Sequence, residues 1–182
     1  MMTMAYNEQI QEGIRLINAG EFQASIDLAQ TIQQDQPDSA DGYHLEAIGK
    51  QHLYEWEASI KALNKAIELA PYDAGLYSLR AFAKMSTEDL AGAEKDLNEA
   101  IELEDFEPAH RNLVILNILR DKSEQAIEYL LNRLHTNPDD VDNWILMGDL
   151  MKRVGMHDKA QTYYDQARKL DPENPNLKAV SE

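Results

Sequence analysis

The chain has 182 residues, with 17 Lys and Arg against 33 Asp and Glu, and its formal net charge is −16. A surface this acidic repels phosphate, which argues against general binding of nucleic acid or anionic membranes. The chain has no cysteine, so disulfides, thiolate metal sites and cysteine nucleophiles are excluded. Its apolar runs are shorter than a membrane span, and the start at Met1–Tyr6 does not look like a signal peptide. We therefore expect a cytoplasmic protein without membrane insertion.

Helix-like stretches follow one another along the chain, and prolines separate them at regular intervals. Pro37 and Pro71 are 34 residues apart, as are Pro138 and Pro172, and 67 residues separate the two pairs. The wider gap corresponds to two units, one of them a residue short, with the missing proline at positions 104–105. A repeat of 34 residues is typical of helix–turn–helix units.

Alignment on the prolines divides the chain into five units. They are 6–39, 40–73, 74–106, 107–140 and 141–174, with an N-terminal extension at 1–5 and a short tail at 175–182. In the tail, Leu177 and Val180 could cover a little of the fifth unit. Within each unit the two helices would cross at a residue that is usually small, which permits a close approach. In the first helices these residues are Gly13, Ala47, Ala81, Val114 and Gly148. We expect ten helices and no strand, with turns near Gly20, Tyr54, Asp121 and Gly155.

The fifth unit carries the most complete set of recurring residues. It reads Trp144-x-x-Met147-Gly148-x-x-Met151, followed by Gly155, Ala160, Tyr164, Ala167 and Pro172. This pattern resembles the tetratricopeptide repeat. Five copies follow one another in the same phase over about residues 6–174, which would form a single domain. The resemblance implies an all-α fold, a right-handed α-solenoid, in which the first helix of every repeat lines a concave face.

Further positions carry local structural signals. N-caps are expected at three places, which are the pair Asp38-Ser39, Ser86 and the pair Asp139-Asp140. Gln9 belongs to a polar outer side of the first helix. The residues Trp56 and Trp144 are interpreted as core. Arg80 and Asp96 resemble a recurring ion pair of the family, which at an exposed position would contribute under about 1 kcal/mol.

No combination of residues indicates catalysis. His44 and His52 are eight residues apart on one predicted helix, whereas a metal pair would need a spacing of three or four and a third ligand. Gly-rich phosphate loops and the HExxH and GxSxG motifs do not occur. We therefore predict a protein that is not an enzyme and has no cofactor and no metal.

The resemblance implies which positions face the groove, and many of them are apolar. The predicted partner-binding residues are Ile10, Ile14, Ile17, His44, Ile48, Ser78, Phe82, Met85, Arg111, Ile115, Ile118, Ile145, Asp149 and Lys152. A contiguous apolar patch on so charged a protein indicates a binding surface. In repeat one the alternative is a rotated helix whose isoleucines pack on Phe22, Ile26 and Ile32.

The groove also argues against one subclass of the family. Members that hold the acidic tails of heat-shock chaperones need Lys, Asn and Arg at set places. Those places hold Ile10, Ile14, Leu45, Gly75 and Leu79 here. The leading hypothesis is thus a non-catalytic scaffold or adaptor that binds an apolar or amphipathic segment of a protein partner. The alternatives are a secretion-type chaperone and a self-associating assembly protein, and the chain itself would be a monomer or a weak homo-oligomer.

Overall fold

The computed structural model describes residues 5–178, which within that range form helices joined by short turns, with no strand. The helices are α1 (Tyr6–Asn18), α2 (Phe22–Asp35), α3 (Ala40–His52), α4 (Trp56–Leu69), α5 (Ala74–Ser86), α6 (Leu90–Leu103), α7 (Glu107–Leu119), α8 (Ser123–Thr136), α9 (Val141–Arg153), α10 (His157–Leu170) and α11 (Pro175–Lys178). The first ten form five hairpins, so the predicted all-α architecture is confirmed. The single turn of α11 is an addition to the ten predicted helices. None of the helices in the described range is long and apolar enough to cross a membrane.

Each hairpin turn contains one residue in the left-handed backbone region. These residues are Gly20 (φ 77°), Tyr54 (61°), Glu88 (63°), Asp121 (57°) and Gly155 (80°). In every turn the next backbone N–H donates to the carbonyl five residues earlier, for example Glu55 N to Lys50 O at 2.9 Å. This is the hydrogen bond of a Schellman-type helix end. The four predicted turn positions are confirmed, and Glu88 is the fifth.

The N-caps agree with the sequence at two of three positions. Ser39 accepts a hydrogen bond from Asp41 N at 3.3 Å, and Asp140 accepts one from Asn143 N at 3.0 Å. The prediction for Ser86 is wrong, because Ser86 is the last residue of α5. The left-handed turn moves the start of α6 further along the chain, and Asp89 caps that helix.

The helices pack as two compact units, one up to Asn112 and one from Leu113 onward. In the first unit each helix from α2 to α6 packs on the one before it. The predicted crossing residues Gly13, Ala47 and Ala81 are buried there. Buried serine hydroxyls donate to the carbonyls of two of them, Ser25 to Gly13 at 3.2 Å and Ser59 to Ala47 at 3.1 Å. The same bond 34 residues apart shows that the hairpin geometry repeats.

Gln9 differs from its prediction. Although the sequence pattern places it on a polar outer side, it is only 9% exposed in α1. Its neighbours Glu8 and Gln11 are exposed, so one turn of α1 presents polar residues on more than one side.

The second unit has one continuous core. Val114 and Gly148, the crossing residues of its hairpins, are buried, and Tyr164 of α10 packs in the same core. Leu177 of α11 is 3% exposed and joins this core. The tail therefore covers apolar surface of the fifth repeat, as expected for Leu177. Val180, which was predicted to contribute as well, lies outside the described residues.

Candidate partner-binding site

An aromatic cluster lies on the first unit, where α3 ends, α4 begins and α5 passes beside them. The ring centroid of Trp56 is 5.8 Å from that of Tyr54 and 5.8 Å from that of Phe82. The interplanar angles are 80° and 77°, so both pairs have the edge-to-face arrangement that aromatic rings favour. Tyr54 is 78% exposed and Phe82 is 40% exposed. The cluster thus presents large apolar side chains to solvent.

A depression of about 320 Å³ opens beside these rings. Its lining residues are Ile48, Gln51, His52, Tyr54, Trp56, Leu79 and Phe82. Ile48 and His52 are four residues apart on α3, and Leu79 and Phe82 are three apart on α5, spacings that place each pair on one helix face. The turn between α3 and α4 adds Tyr54 and Trp56 at one end.

Hydrogen bonds of Gln51 fix the position of the depression. Its side-chain amide donates to Ser59 Oγ at 3.1 Å and to the backbone carbonyl of Leu79 at 3.0 Å. Gln51 is only 8% exposed, so these bonds are shielded from water. Because they join α3 to both α4 and α5, the lining residues are held in a preformed arrangement.

Tyr54 has an unusual backbone conformation for its type. At the corresponding turn position, repeats one and five have Gly20 and Gly155. A left-handed conformation costs a residue with a side chain about 1–2 kcal/mol. Because repeats three and four have Glu88 and Asp121 in the same conformation, the strain belongs to the hairpin turn, and the feature particular to Tyr54 is its exposed ring.

His52 extends the aromatic surface towards α2. Its imidazole stacks on the ring of Phe22 with centroids 4.4 Å apart and planes 2° from parallel. This contact joins the first hairpin to the second at the edge of the depression. Phe22 is half-buried and His52 is exposed.

The isoleucines of repeat one separate into two groups. Ile10 and Ile17 pack against the core cluster of Ala29, Ile32 and Leu45. Ile14 is 43% exposed. The rotated-helix alternative named Phe22, Ile26 and Ile32 as partners, and of these Ile32 belongs to the cluster that Ile10 and Ile17 pack against.

The other predicted groove residues of the first unit differ in exposure. Ile48 and Phe82 line the depression, and Arg111 is exposed. Ser78 and Met85 are 3% and 7% exposed, so they are not available to a partner in this structure. Ser78 Oγ instead accepts a hydrogen bond from Asn112 at 3.2 Å.

His44 is half-buried on α3. Burial lowers the pKa of its imidazole, and the carboxylates of Asp73 and Asp41 oppose that effect. At neutral pH a histidine with a lowered pKa is uncharged. His44 therefore contributes a neutral, partly accessible ring.

In the second unit, the predicted residues are mostly committed to packing. Ile145 is 5% exposed and belongs to the core, and the half-buried Ile118 packs against that core. Ile115 is half-buried, and Lys152 is exposed. Asp149 is exposed and accepts a hydrogen bond from the hydroxyl of Tyr164 at 2.7 Å. Burial and this contact raise the pKa of the Tyr164 hydroxyl, so it remains a neutral donor.

Sequence reasoning missed Trp56 as part of the site. Trp56 is half-buried and lines the depression, so its interpretation as a core residue holds only in part. Trp144 fits that interpretation better, since it packs against the second unit's core and its indole N–H donates to Pro138 O at 2.7 Å. The sequence signal that could have indicated the site at Trp56 was Tyr54, which lies close to it at a turn position that favours glycine. Among the described residues, no group of three His, Asp or Glu side chains could hold a metal ion.

Comparisons with known proteins agree with this architecture. Residues 141–174 match the family model of the tetratricopeptide repeat. A segment of 56 residues is 34% identical to the bifunctional subunit NrfFG of the formate-dependent nitrite reductase complex of Haemophilus influenzae. That segment is 31% of this chain and only 15% of the relative's length.

Solved structures show the same fold over nearly the whole chain. TTC0263, a thermophilic TPR protein of Thermus thermophilus, aligns with a TM-score of 0.81 at 17% identity, covering 97% of this chain and 96% of its own. YrrB, a TPR protein with an unusual peptide-binding site, aligns with a TM-score of 0.61 at 14% identity, covering 98% of both chains. The resemblance inferred from the sequence is thereby confirmed: residues 141–174 are a tetratricopeptide repeat, and the chain has the fold of tetratricopeptide repeat proteins.

Proposed function

We propose that this chain is a non-catalytic protein-interaction module, a cytoplasmic scaffold or adaptor, that binds an apolar or amphipathic segment of a partner protein. The observation that carries the proposal is the exposed cluster of Tyr54, Trp56 and Phe82 around a preformed depression. Exposed apolar surface on a highly charged protein is typical of a binding site. Tyrosine and tryptophan are also the residues that most often dominate the binding energy of interfaces.

The fold supports the same function. Tetratricopeptide repeats generally serve as protein–protein interaction modules, and the similar structure of YrrB has a peptide-binding site. The hydrogen bonds of Gln51 support it further, because a lining that is already in place loses little side-chain entropy when a segment binds.

Peptide selection followed by calorimetry tests this proposal. The immobilised chain is used to select binders from a displayed library of twelve-residue peptides, and their affinities are measured for wild type and for Phe82→Gln. The substitution removes an aromatic ring from the contact and adds no charge, so we expect at least tenfold weaker binding. Tyr72→Gln is the matched control, since Tyr72 is 85% exposed and does not line the depression.

Three outcomes would contradict the proposal. They are a library without binders, equal affinity of Phe82→Gln and wild type, and a large loss of helicity or melting temperature in Phe82→Gln. The last would show that Phe82 acts as a core residue. A concentration-dependent mass that Phe82→Gln abolishes would instead assign the surface to self-association.

A further inference from the structure

The negative charge of the chain is concentrated in the unit that contains the depression. Residues 1–112 have 8 basic and 21 acidic side chains, which gives −13 of the total −16. Residues 113–182 have 9 and 12, which gives −3. The first unit therefore attracts cationic partners and repels acidic ones over distances of about a Debye length.

The walls of the depression combine two kinds of surface. Trp56 is nearly perpendicular to both Tyr54 and Phe82, so ring planes of different orientation meet at the depression. A cation is attracted to the face of an aromatic ring, most strongly to tryptophan. Ile48 and Leu79 provide aliphatic walls beside the rings.

Carboxylates lie next to the rings in the chain. Glu55 and Glu57 flank Trp56, and both are exposed. A long basic side chain has an apolar stem and a charged end, and it commonly packs the stem on apolar surface while the end stays near water and counter-charges. The lining of the depression provides the apolar surface, and the acidic residues of the first unit provide the counter-charge.

We propose that the depression binds the cationic side chain, arginine or lysine, of a basic segment of another protein. This inference rests on the proposed function and specifies the chemistry of the bound segment. The aliphatic stem packs on Ile48 and Leu79, and the charged end lies against the rings of Tyr54, Trp56 and Phe82. Apolar residues on either side of the cation extend over the exposed part of the cluster.

The charge of the first unit selects this occupant over two others. An acidic segment is repelled by the net charge of −13. A wholly apolar segment would fill the depression but gain nothing from the negative charge of the first unit. The ring of Tyr54, which is 78% exposed, offers aromatic surface to the cation of such a segment.

The first test uses the peptides selected from the library. We expect arginine and lysine to be enriched among the binders relative to the starting library. In the tightest binder each arginine is then replaced by citrulline, a neutral residue of nearly the same shape, and each lysine by acetyl-lysine. At one position this replacement should weaken binding to wild type by about threefold to thirtyfold, the range of a cation–aromatic contact.

The second test shows whether the rings are responsible. Tyr54→Gly removes one ring and keeps the left-handed turn, and Trp56→Leu removes the central ring and keeps an apolar side chain. In both variants the loss caused by citrulline or acetyl-lysine should shrink. In Tyr72→Ala, which removes an exposed ring outside the depression, the loss should stay as in wild type.

Three results would overturn this inference. The first is a set of binding peptides without arginine or lysine, and the second is a loss of affinity below twofold when the cation is neutralised. The third is a loss of affinity on neutralisation that is as large in both ring variants as in wild type, which would indicate attraction to the general negative charge. If peptides bind and Phe82→Gln abolishes binding while neutralisation has no effect, the interaction module stands and only the cation preference fails. If no peptide binds, both proposals fail. Since Trp56→Leu removes buried surface, Tyr54→Gly decides the result if Trp56→Leu unfolds.

Discussion

Arg80 and Asp96 form a bidentate ion pair between α5 and α6. Arg80 Nε donates to Asp96 Oδ2 at 2.8 Å and its Nη2 to Oδ1 at 2.7 Å. The side chain of Asp96 is 3% exposed and that of Arg80 is 16% exposed. Lys84 Nζ lies 2.8 Å from the same carboxylate, and Arg80 also donates to Asn64 of α4 at 2.8 Å. The pair is thus the centre of a shielded network rather than an isolated surface contact.

Replacing Asp96 by asparagine is expected to destabilise the protein by about 3 kcal/mol, because two cations then lack their counter-charge in a shielded place. Urea unfolding followed by circular dichroism measures the change. Glu68→Gln is the control, since the Lys65–Glu68 pair has side chains 47% and 65% exposed and should contribute less than about 1 kcal/mol. Equal effects of the two substitutions would refute the distinction.

Gly20 tests the left-handed turns. A Cβ at Gly20 meets no atom within 4 Å, and φ is +77°. Gly20→Ala therefore changes only backbone strain, and we expect a loss of about 1 kcal/mol in the free energy of unfolding. Glu88→Gly, at the equivalent turn, should leave stability unchanged or raise it by up to about 1 kcal/mol. Thermal unfolding checks both, and a Gly20→Ala protein as stable as wild type would count against the strain.

Gly148 tests the close crossing of α9 and α10. An added Cβ would lie 2.4 Å from Cε1 of Tyr164, whose ring is held by burial and by its hydrogen bond to Asp149. We expect Gly148→Ala to destabilise the protein by about 1–3 kcal/mol, despite the higher helix propensity of alanine. At Gly75 the nearest atom, Asp73 Oδ1, is 3.0 Å away, so Gly75→Ala should cost less. The reverse order of stabilities by chemical denaturation would contradict this packing.

His44 should make stability depend on pH. Burial lowers the pKa of its imidazole in the folded state, so between the folded and unfolded pKa values the unfolded chain binds more protons. The contribution of neutral His44 to the free energy of unfolding is fully present above the ordinary pKa of about 6.5. It is lost as the pH falls below that value towards the folded pKa. Urea unfolding of wild type and His44→Gln at pH 7.5 and 5.5 measures it. The wild type should lose more stability on acidification than the variant, and equal losses would show that His44 does not contribute.

The sequence by itself determined the helices, their order and their turns. These features depend on interactions within about one turn of helix, such as the capping of α3 by Ser39 and the left-handed residue at Gly155. The repeat of 34 residues added the crossing positions, and Ala47 and Gly148 are buried as that phase requires. The failure at Ser86 was also local, because α5 continues to Ser86 and the left-handed turn at Glu88 makes Asp89 the cap of α6.

Only the tertiary structure decided which side chains remain accessible. Met85 and Phe82 are three residues apart on α5, yet one is 7% and the other 40% exposed. That difference depends on how α5 is rotated and where its neighbours cross it, which no short segment encodes. The pairing of Trp56 with Phe82 joins residues 26 positions apart on different helices, and the same packing places Ile48 beside them. The aromatic depression exists because three helices and one strained turn meet there, and such a meeting is fixed by the sum of many long-range contacts rather than by any local pattern.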